Sequence, residues 1–98
     1  MEPLKGKQVL ITGATGGIGA ATAKLLSASG ARVFLTGRNA AKLEALAAGM
    51  GLTNTYYRTA DLTQPDEVEQ LKRQYFSVYD QVDILVNAAG VGVISPLE

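Results

Sequence analysis

A glycine-rich turn at residues 12–19 constrains the fold of this chain more than any other sequence feature. The apolar run before it, residues 9–11, has the aliphatic and β-branched character of a buried strand. Gly13 and Gly17 permit backbone angles and a close approach that side chains would block. The helical pattern that follows would aim its free amide groups and its dipole at an anion. The turn therefore predicts a phosphate-binding connection between a strand and a helix.

Strand and helix patterns alternate along the rest of the chain. We expect strands near residues 8–12, 33–35, 55–60 and 84–86, each pair separated by a helical pattern. The connections are short enough to require right-handed crossovers, so the sheet should be parallel. The predicted fold class is α/β, with three layers in the order α/β/α and strand order 3-2-1-4. Arg58 and the threonines around it favour an edge position for the third strand.

Two helix starts carry capping signals. Asn39 is placed to cap the second helix, and Thr63 with Asp66 resembles the cap of the third. Pro65 is acceptable in the first turn of that third helix. We therefore expect side-chain caps at both positions.

The end of the chain predicts an unpaired sheet edge. Residues 90–98 have no partner element in this scheme, which would leave the fourth strand bare on one side. We accordingly expect self-association through residues 82–86, or docking of a missing C-terminal half onto that strand. The 98 residues are interpreted as part of a longer chain, and as one domain over residues 1–98.

Composition excludes several classes of function. The chain has no cysteine and no histidine, and its formal net charge is zero, so neither a disulfide scaffold nor a metal site is assigned. The thinly spread charges argue against nucleic acid and an anionic membrane surface as partners. Apolar runs fall well short of the roughly 20 residues that span a bilayer, and residues 1–7 do not resemble a secretory signal. A cytoplasmic location is the default expectation.

Residues 12–19 match T-G-x-x-x-G-[IL]-G, the first-turn pattern of the short-chain dehydrogenase/reductase family, which this chain resembles. The resemblance implies a Rossmann-like fold, truncated here before the remaining strands, and a nicotinamide dinucleotide cofactor. It also implies that the turn binds the cofactor. The turn residues that carry this expectation are Gly13, Thr15, Gly16, Gly17, Ile18 and Gly19.

The residues after the second strand favour NADP(H) over NAD(H). Gly37 stands where an NAD-binding relative usually presents an acidic side chain to the ribose, and Arg38 follows it. A guanidinium can pair with a 2′-phosphate through two hydrogen bonds. Asn39 can add a hydrogen bond to the phosphate or simply cap its helix. Because Thr15 stands where some relatives carry a basic residue, the preference rests mainly on Arg38, whose alternative role is that of a solvated surface arginine.

Two further family markers follow the third and fourth strands. Asp61 and Leu62 resemble the pair that contacts adenine, although a loop aspartate beside a buried leucine explains them equally well. The run Asn87, Ala88, Ala89, Gly90 resembles the family's N-N-A-G segment, with alanine in the second position. Its small residues would let the backbone approach the cofactor ribose, whereas Asn87 could equally well only stabilise the sheet.

The catalytic markers of the family are absent from these 98 residues. None of the four tyrosines begins a Tyr-x-x-x-Lys spacing, and Ser95 lies too close to Gly90 to match the catalytic serine. We therefore assign no catalytic residue and expect the chain alone to be inactive. Three hypotheses remain. The chain is the NADP(H)-binding portion of an oxidoreductase that transfers hydride between NADP(H) and a carbonyl or alcohol, or it is a non-catalytic nucleotide-binding or interaction module. The third is a folded piece without affinity for the cofactor, because the contacts to the nicotinamide side are missing.

Overall fold

The computed structural model describes residues 4–88 and the backbone of residues 93–95. Strands and helices alternate along this part of the chain, as the sequence pattern predicts. The elements are β1 (Gln8–Thr12), α1 (Gly17–Ala28), β2 (Arg32–Gly37), α2 (Ala40–Gly49), a 3-10 turn (Asn54–Tyr56), β3 (Tyr57–Thr59), α3 (Pro65–Val78), β4 (Ile84–Asn87) and β5 (Val93–Ser95).

The strands form one sheet in the order β3-β2-β1-β4-β5. The first four strands are parallel, and Val9 in β1 pairs with Val33 in β2 on one side and with Ile84 in β4 on the other. This confirms the predicted order 3-2-1-4. It also confirms β3 as an edge strand, which pairs only with β2 among the described strands.

The prediction that residues 90–98 lack a partner element is wrong. β5 runs antiparallel to β4, and its register places Ser95 opposite Leu85 and Val93 opposite Asn87. The edge of β4 that was expected to be bare is therefore covered by a short return of the same chain. β5 pairs with Leu85 and Val86, so the argument for self-association from an unpaired edge does not apply to that part of residues 82–86.

Two apolar cores lie on opposite faces of the sheet, which confirms the three-layer arrangement. Because side chains alternate along a strand, Val33 and Leu35 face one way while Phe34 faces the other. The first core packs α1 and α2 on the sheet through Ala23, Leu43 and Ala47, with Val9, Ile11, Val33, Leu35 and Val86 below them. The second packs α3 on the opposite face and contains Phe34, Ala60, Leu71, Tyr75 and Tyr79.

The start of α3 differs from its predicted form. Gln64 occupies the cap position without a side-chain cap hydrogen bond, and Pro65 begins the helix as expected. Thr63 does not cap the helix, because its hydroxyl donates to Asp61 instead. At α2, by contrast, the Asn39 side chain accepts a hydrogen bond from the Lys42 amide, which confirms the predicted cap.

The third strand is shorter than predicted. Residues 54–56 form a 3-10 turn, and only Tyr57–Thr59 pair with β2. Thr53 and Thr55 share a hydrogen bond between their hydroxyl groups at 2.7 Å. Such local polar contacts compete with strand pairing at a sheet edge, where the strand has one neighbour to hold it.

Gln8 joins the start of the sheet to the loop between α3 and β4. Its side-chain amide donates to Asp80 Oδ1 at 2.8 Å, and its side-chain oxygen accepts from the amides of Asp80 and Gln81 at 3.0 Å each. The backbone amide of Gln8 also donates to the Asp83 carboxylate at 2.7 Å. One polar side chain therefore anchors a loop more than seventy residues away in sequence.

Candidate functional site

A cleft with a volume of about 570 Å³ opens at the carboxyl ends of the parallel strands. This is the edge of a doubly wound sheet at which ligands generally bind, since the loops there diverge to opposite faces. The lining residues are Gly13, Thr15, Gly16, Thr36, Gly37, Arg38, Asn39, Ala60, Asp61, Leu62, Thr63 and Ala88.

The glycine-rich turn forms one wall of the cleft, and two of its glycines are required by its geometry. Gly13 has a φ of 65°, in the left-handed region that other residues rarely adopt. A Cβ at Gly19 would lie 2.2 Å from the Gly13 carbonyl oxygen, so α1 can approach the turn this closely only without a side chain there. Gly19 therefore sets the position of the helix against the turn.

The amino end of α1 is open toward ligand. Gly16 occupies the cap position without a side-chain cap, and the first turn of the helix contains no acidic residue. No heavy atom of the described residues lies within 4 Å of where a Cβ at Gly17 would be. The first amide groups of the helix, which have no acceptor inside it, are thus accessible to an anion.

The segment at the end of β2 places the positive charge of Arg38 at the cleft, and it leaves little room for a side chain at Gly37. Arg38 is exposed at the cleft, immediately after the buried Gly37. A Cβ at Gly37 would lie 3.2 Å from the Thr15 methyl carbon and 3.4 Å from its hydroxyl oxygen. The Thr15 side chain thus occupies the space toward which a residue larger than glycine would extend.

Asp61 is held in place on the opposite wall. Its Oδ1 accepts from the Thr63 amide at 3.0 Å and from the Thr63 hydroxyl at 2.7 Å, while its own amide donates to Glu67 Oε1 at 2.8 Å. These hydrogen bonds from Thr63 lower the pKa of the Asp61 carboxyl, and the positive charge of Arg38 lowers it further. The cleft therefore holds a carboxylate that lies within electrostatic range of a guanidinium.

Three backbone hydrogen bonds join the loops beneath the cleft. The amides of Ala14, Ala60 and Ala88 donate to the carbonyl oxygens of Thr36, Gly37 and Thr12, respectively, each at 3.0 Å. Each bond links the segment just beyond one strand to the neighbouring strand. The floor of the cleft is consequently fixed by main-chain contacts.

The structure brings together most of the predicted cofactor-binding residues that it describes. Those that line the cleft are Gly13, Thr15, Gly16, Arg38, Asn39, Asp61, Leu62 and Ala88.

Four predicted residues lie outside the cleft lining, and two lie outside the described residues. Gly17 and Gly19 belong to α1, where Gly19 packs on the turn, and Ile18 is 72% exposed. The side-chain oxygen of Asn87 accepts a hydrogen bond from the Thr12 hydroxyl at 3.0 Å, which joins the ends of β1 and β4. Ala89 and Gly90 are the two predicted residues that the structure does not describe.

Sequence reasoning did not assign four of the lining residues to the site. They are Thr36, Gly37, Ala60 and Thr63. Two of them, Thr36 and Ala60, could have been assigned from their position, because they lie at or just after the carboxyl end of a predicted parallel strand, where ligands generally bind. Thr63 lacked such a signal, since its role depends on a loop that folds back to Asp61.

Among the described residues, no helix combines the length and the apolar character needed to cross a bilayer.

Comparison with known proteins identifies relatives along nearly the whole chain. The family model described as short chain dehydrogenase matches residues 7–98. An uncharacterized oxidoreductase of Staphylococcus haemolyticus is 45% identical over 91 residues, covering 93% of this chain and 39% of that protein. The D-beta-hydroxybutyrate dehydrogenase of Cupriavidus necator is 40% identical over 98 residues, covering 97% of this chain and 38% of that protein.

Solved structures give the same result. A short chain dehydrogenase from Mycobacterium smegmatis superposes with a TM-score of 0.80 at 33% identity, over 95% of this chain and 40% of that one. An NADP complex of RhlG from Pseudomonas aeruginosa superposes with a TM-score of 0.78 at 32% identity, over 92% and 37% of the two chains. This chain thus spans about two fifths of the length of its relatives. It belongs to the short-chain dehydrogenase family, whose members are oxidoreductases with a Rossmann-like fold that bind a nicotinamide dinucleotide.

Proposed function

We propose that residues 1–98 form a single NADP(H)-binding domain of an oxidoreductase that transfers hydride between NADP(H) and a carbonyl or alcohol. The observation that carries the cofactor preference is the exposed Arg38 guanidinium in the cleft, directly after the side-chain-free Gly37. The names of the relatives support the reaction class, since one is a hydroxybutyrate dehydrogenase and one was solved as an NADP complex.

The turn and α1 fit a pyrophosphate. The open helix end presents amide donors, and the turn beside it has no side chain at Gly16 or Gly17 to obstruct a phosphate. Gly13 and Gly19 hold that turn against the helix. In this proposal the backbone amides of Gly17 and Ile18 bind the pyrophosphate, and no basic side chain is needed there.

Arg38 fits the 2′-phosphate that distinguishes NADP from NAD. Gly37 brings no carboxylate that would repel a phosphate, and the Thr15 side chain beside it leaves little space for one. Thr15 and Asn39 line the same part of the cleft and can donate hydrogen bonds to the phosphate or the ribose. We assign Arg38 the main role, because its charge and planar donor geometry match a phosphate.

The remaining walls fit the adenosine half of the dinucleotide. Leu62 is 39% exposed at the cleft and offers an apolar surface for the adenine ring. Asp61 keeps an oxygen, Oδ2, to which the described residues donate no hydrogen bond, and this oxygen can accept one from the adenine amino group. Ala88, with Asn87, Ala89 and Gly90, is assigned to the ribose side.

The proposed role of this chain is to bind and orient the cofactor. When bound, the nicotinamide supplies or accepts the hydride, while the residues assigned here hold its phosphates and its adenosine. No residue among these 98 is assigned to proton transfer, since none of the four tyrosines begins a Tyr-x-x-x-Lys spacing.

Calorimetric titration with NADP⁺ and NAD⁺ tests the proposal. We expect tighter binding of NADP⁺, and we expect Arg38→Ala to weaken NADP⁺ binding by roughly 10- to 100-fold while changing NAD⁺ binding little. Arg73→Ala is a matched control, because Arg73 is an exposed arginine on α3 that does not line the cleft. Equal affinities for both dinucleotides in the unmodified chain, or tighter NAD⁺ binding, would overturn the assigned preference.

A further inference from the structure

The two charged side chains of the cleft, Arg38 and Asp61, do not form an ion pair with each other. The charge of Arg38 acts on the Asp61 carboxyl, and both residues line the cleft. Within residues 4–88, however, no hydrogen bond or salt bridge joins them, and the one salt bridge found there is between Lys72 and Glu69. The guanidinium therefore keeps its donors free although a carboxylate lies within electrostatic range.

Thr63 provides the physical reason. Its amide and its hydroxyl both donate to the same oxygen of Asp61, at 3.0 Å and 2.7 Å, which fixes the rotation of the carboxylate. On the other side of the loop, Glu67 accepts from the Asp61 amide at 2.8 Å and holds the backbone. In this orientation the other carboxylate oxygen, Oδ2, makes no hydrogen bond or salt bridge with Arg38. A carboxylate that turned toward the guanidinium would give up the Thr63 hydroxyl.

We propose that Thr63 is a specificity-determining positioning residue that holds the Asp61 carboxylate away from Arg38 and so keeps the guanidinium available to a 2′-phosphate. This inference rests on the proposed binding of NADP(H) in the cleft. It assigns to Thr63 an effect on the choice between two dinucleotides, exerted through Asp61 and without contact to the phosphate.

The loss of the Thr63 hydroxyl should affect the two dinucleotides differently, because only the 2′-phosphate of NADP⁺ competes with Asp61 for Arg38. In a chain without the Thr63 hydroxyl, Asp61 can turn and pair with the guanidinium across the cleft. NADP⁺ must then displace the carboxylate to reach Arg38, whereas NAD⁺ has no 2′-phosphate that competes for the guanidinium. Any change in the adenine contact of Asp61 affects both dinucleotides alike. A general loss of loop structure would instead weaken both dinucleotides together.

The experiment compares dissociation constants of NADP⁺ and NAD⁺ by calorimetry for the unmodified chain, Thr63→Val and Thr63→Ser. Valine removes the hydroxyl at nearly constant shape, while serine keeps it. Since Thr63 and Asp61 lie near solvent, we expect Thr63→Val to lower the NADP⁺/NAD⁺ affinity ratio by about 3- to 10-fold. Thr63→Ser should retain the original ratio.

A double variant separates positioning through Asp61 from every other role of Thr63. Asparagine at position 61 cannot form an ion pair with Arg38, so adding Asp61→Asn to Thr63→Val should restore the ratio. The adenine contact of residue 61 is common to both dinucleotides and cancels in that ratio. Thermal unfolding of each variant checks folding, and Thr63→Ala replaces Thr63→Val if the valine variant is unfolded.

The outcomes are distinct. A lowered ratio that is retained by serine and restored by the double variant supports the role of Thr63. An unchanged ratio in the folded valine variant, with NADP⁺ still preferred, refutes that role and leaves the proposed function intact. Failure of the unmodified chain to bind either dinucleotide would overturn the proposed function and this inference with it.

Discussion

Replacing Gly19 with alanine tests the packing that holds the glycine-rich turn in place. The added Cβ would lie 2.2 Å from the Gly13 carbonyl oxygen and 3.0 Å from the Ala14 Cα. Both neighbours are backbone atoms, so no side chain can rotate away to make room. Gly17 offers a matched control in the same helix, because no atom of the described residues lies within 4 Å of the corresponding Cβ position.

The expected difference in the free energy of unfolding follows from the different surroundings of positions 17 and 19. Alanine is favoured over glycine in a helix by up to about 1 kcal/mol, and this gain is available to both variants. Overpacking typically costs about 1–3 kcal/mol, and only Gly19→Ala incurs it. We therefore expect Gly19→Ala to be less stable than Gly17→Ala by about 2 kcal/mol. At about 4–8 °C per kcal/mol for a domain of this size, the melting temperatures should differ by roughly 8–16 °C.

Circular dichroism during thermal and urea unfolding measures the comparison. The unmodified chain and both variants are unfolded in parallel, and the denaturant slope is compared to exclude a change in the unfolded state. If Gly19→Ala is as stable as Gly17→Ala, then position 19 tolerates a side chain, and the close approach of α1 to the turn does not require glycine there.

Three further predictions concern stability and use the same unfolding assays. Asn39→Ala removes the side-chain cap of α2 and should lower the free energy of unfolding by about 1 kcal/mol, whereas serine should preserve it. Gln8→Glu replaces the donor to Asp80 with a second carboxylate, so it should destabilise the chain by about 1–2 kcal/mol at pH 7. Burial raises the pKa of Tyr75 above its usual 10.0, so its contribution to stability is complete below pH 10 and is lost above it. Tyr75→Phe should therefore flatten the alkaline part of the pH–stability curve, and an unchanged curve would contradict this.

The features that depend on local pattern were predictable from the sequence. The apolar run before the glycine turn identifies β1 with its observed bounds, and Asn39 identifies the start of α2 through its capping chemistry. The strand order 3-2-1-4 follows from the alternation of elements and the handedness of crossovers. The same alternation places the ends of the parallel strands together, which is why most assigned residues meet in one cleft.

The features that were missed depend on contacts between distant segments. β5 has only three residues, which is too short for an alternating pattern to be recognised in the sequence. It is identified as a strand by its pairing with β4. Thr63 resembles a helix cap in sequence, but its hydroxyl has an alternative acceptor in the Asp61 carboxylate, to which it donates. The anchoring of a distant loop by Gln8 also has no signature within its own neighbourhood.

The three main-chain hydrogen bonds beneath the cleft allow the residues at its rim to change in evolution. The bonds made by the amides of Ala14, Ala60 and Ala88 use atoms that every residue except proline possesses. Substitutions at the rim, at Thr15 or Arg38, can therefore accumulate without altering the platform beneath them. In the proposed function, cofactor preference can therefore change through substitutions at Thr15 or Arg38 while the fold is retained.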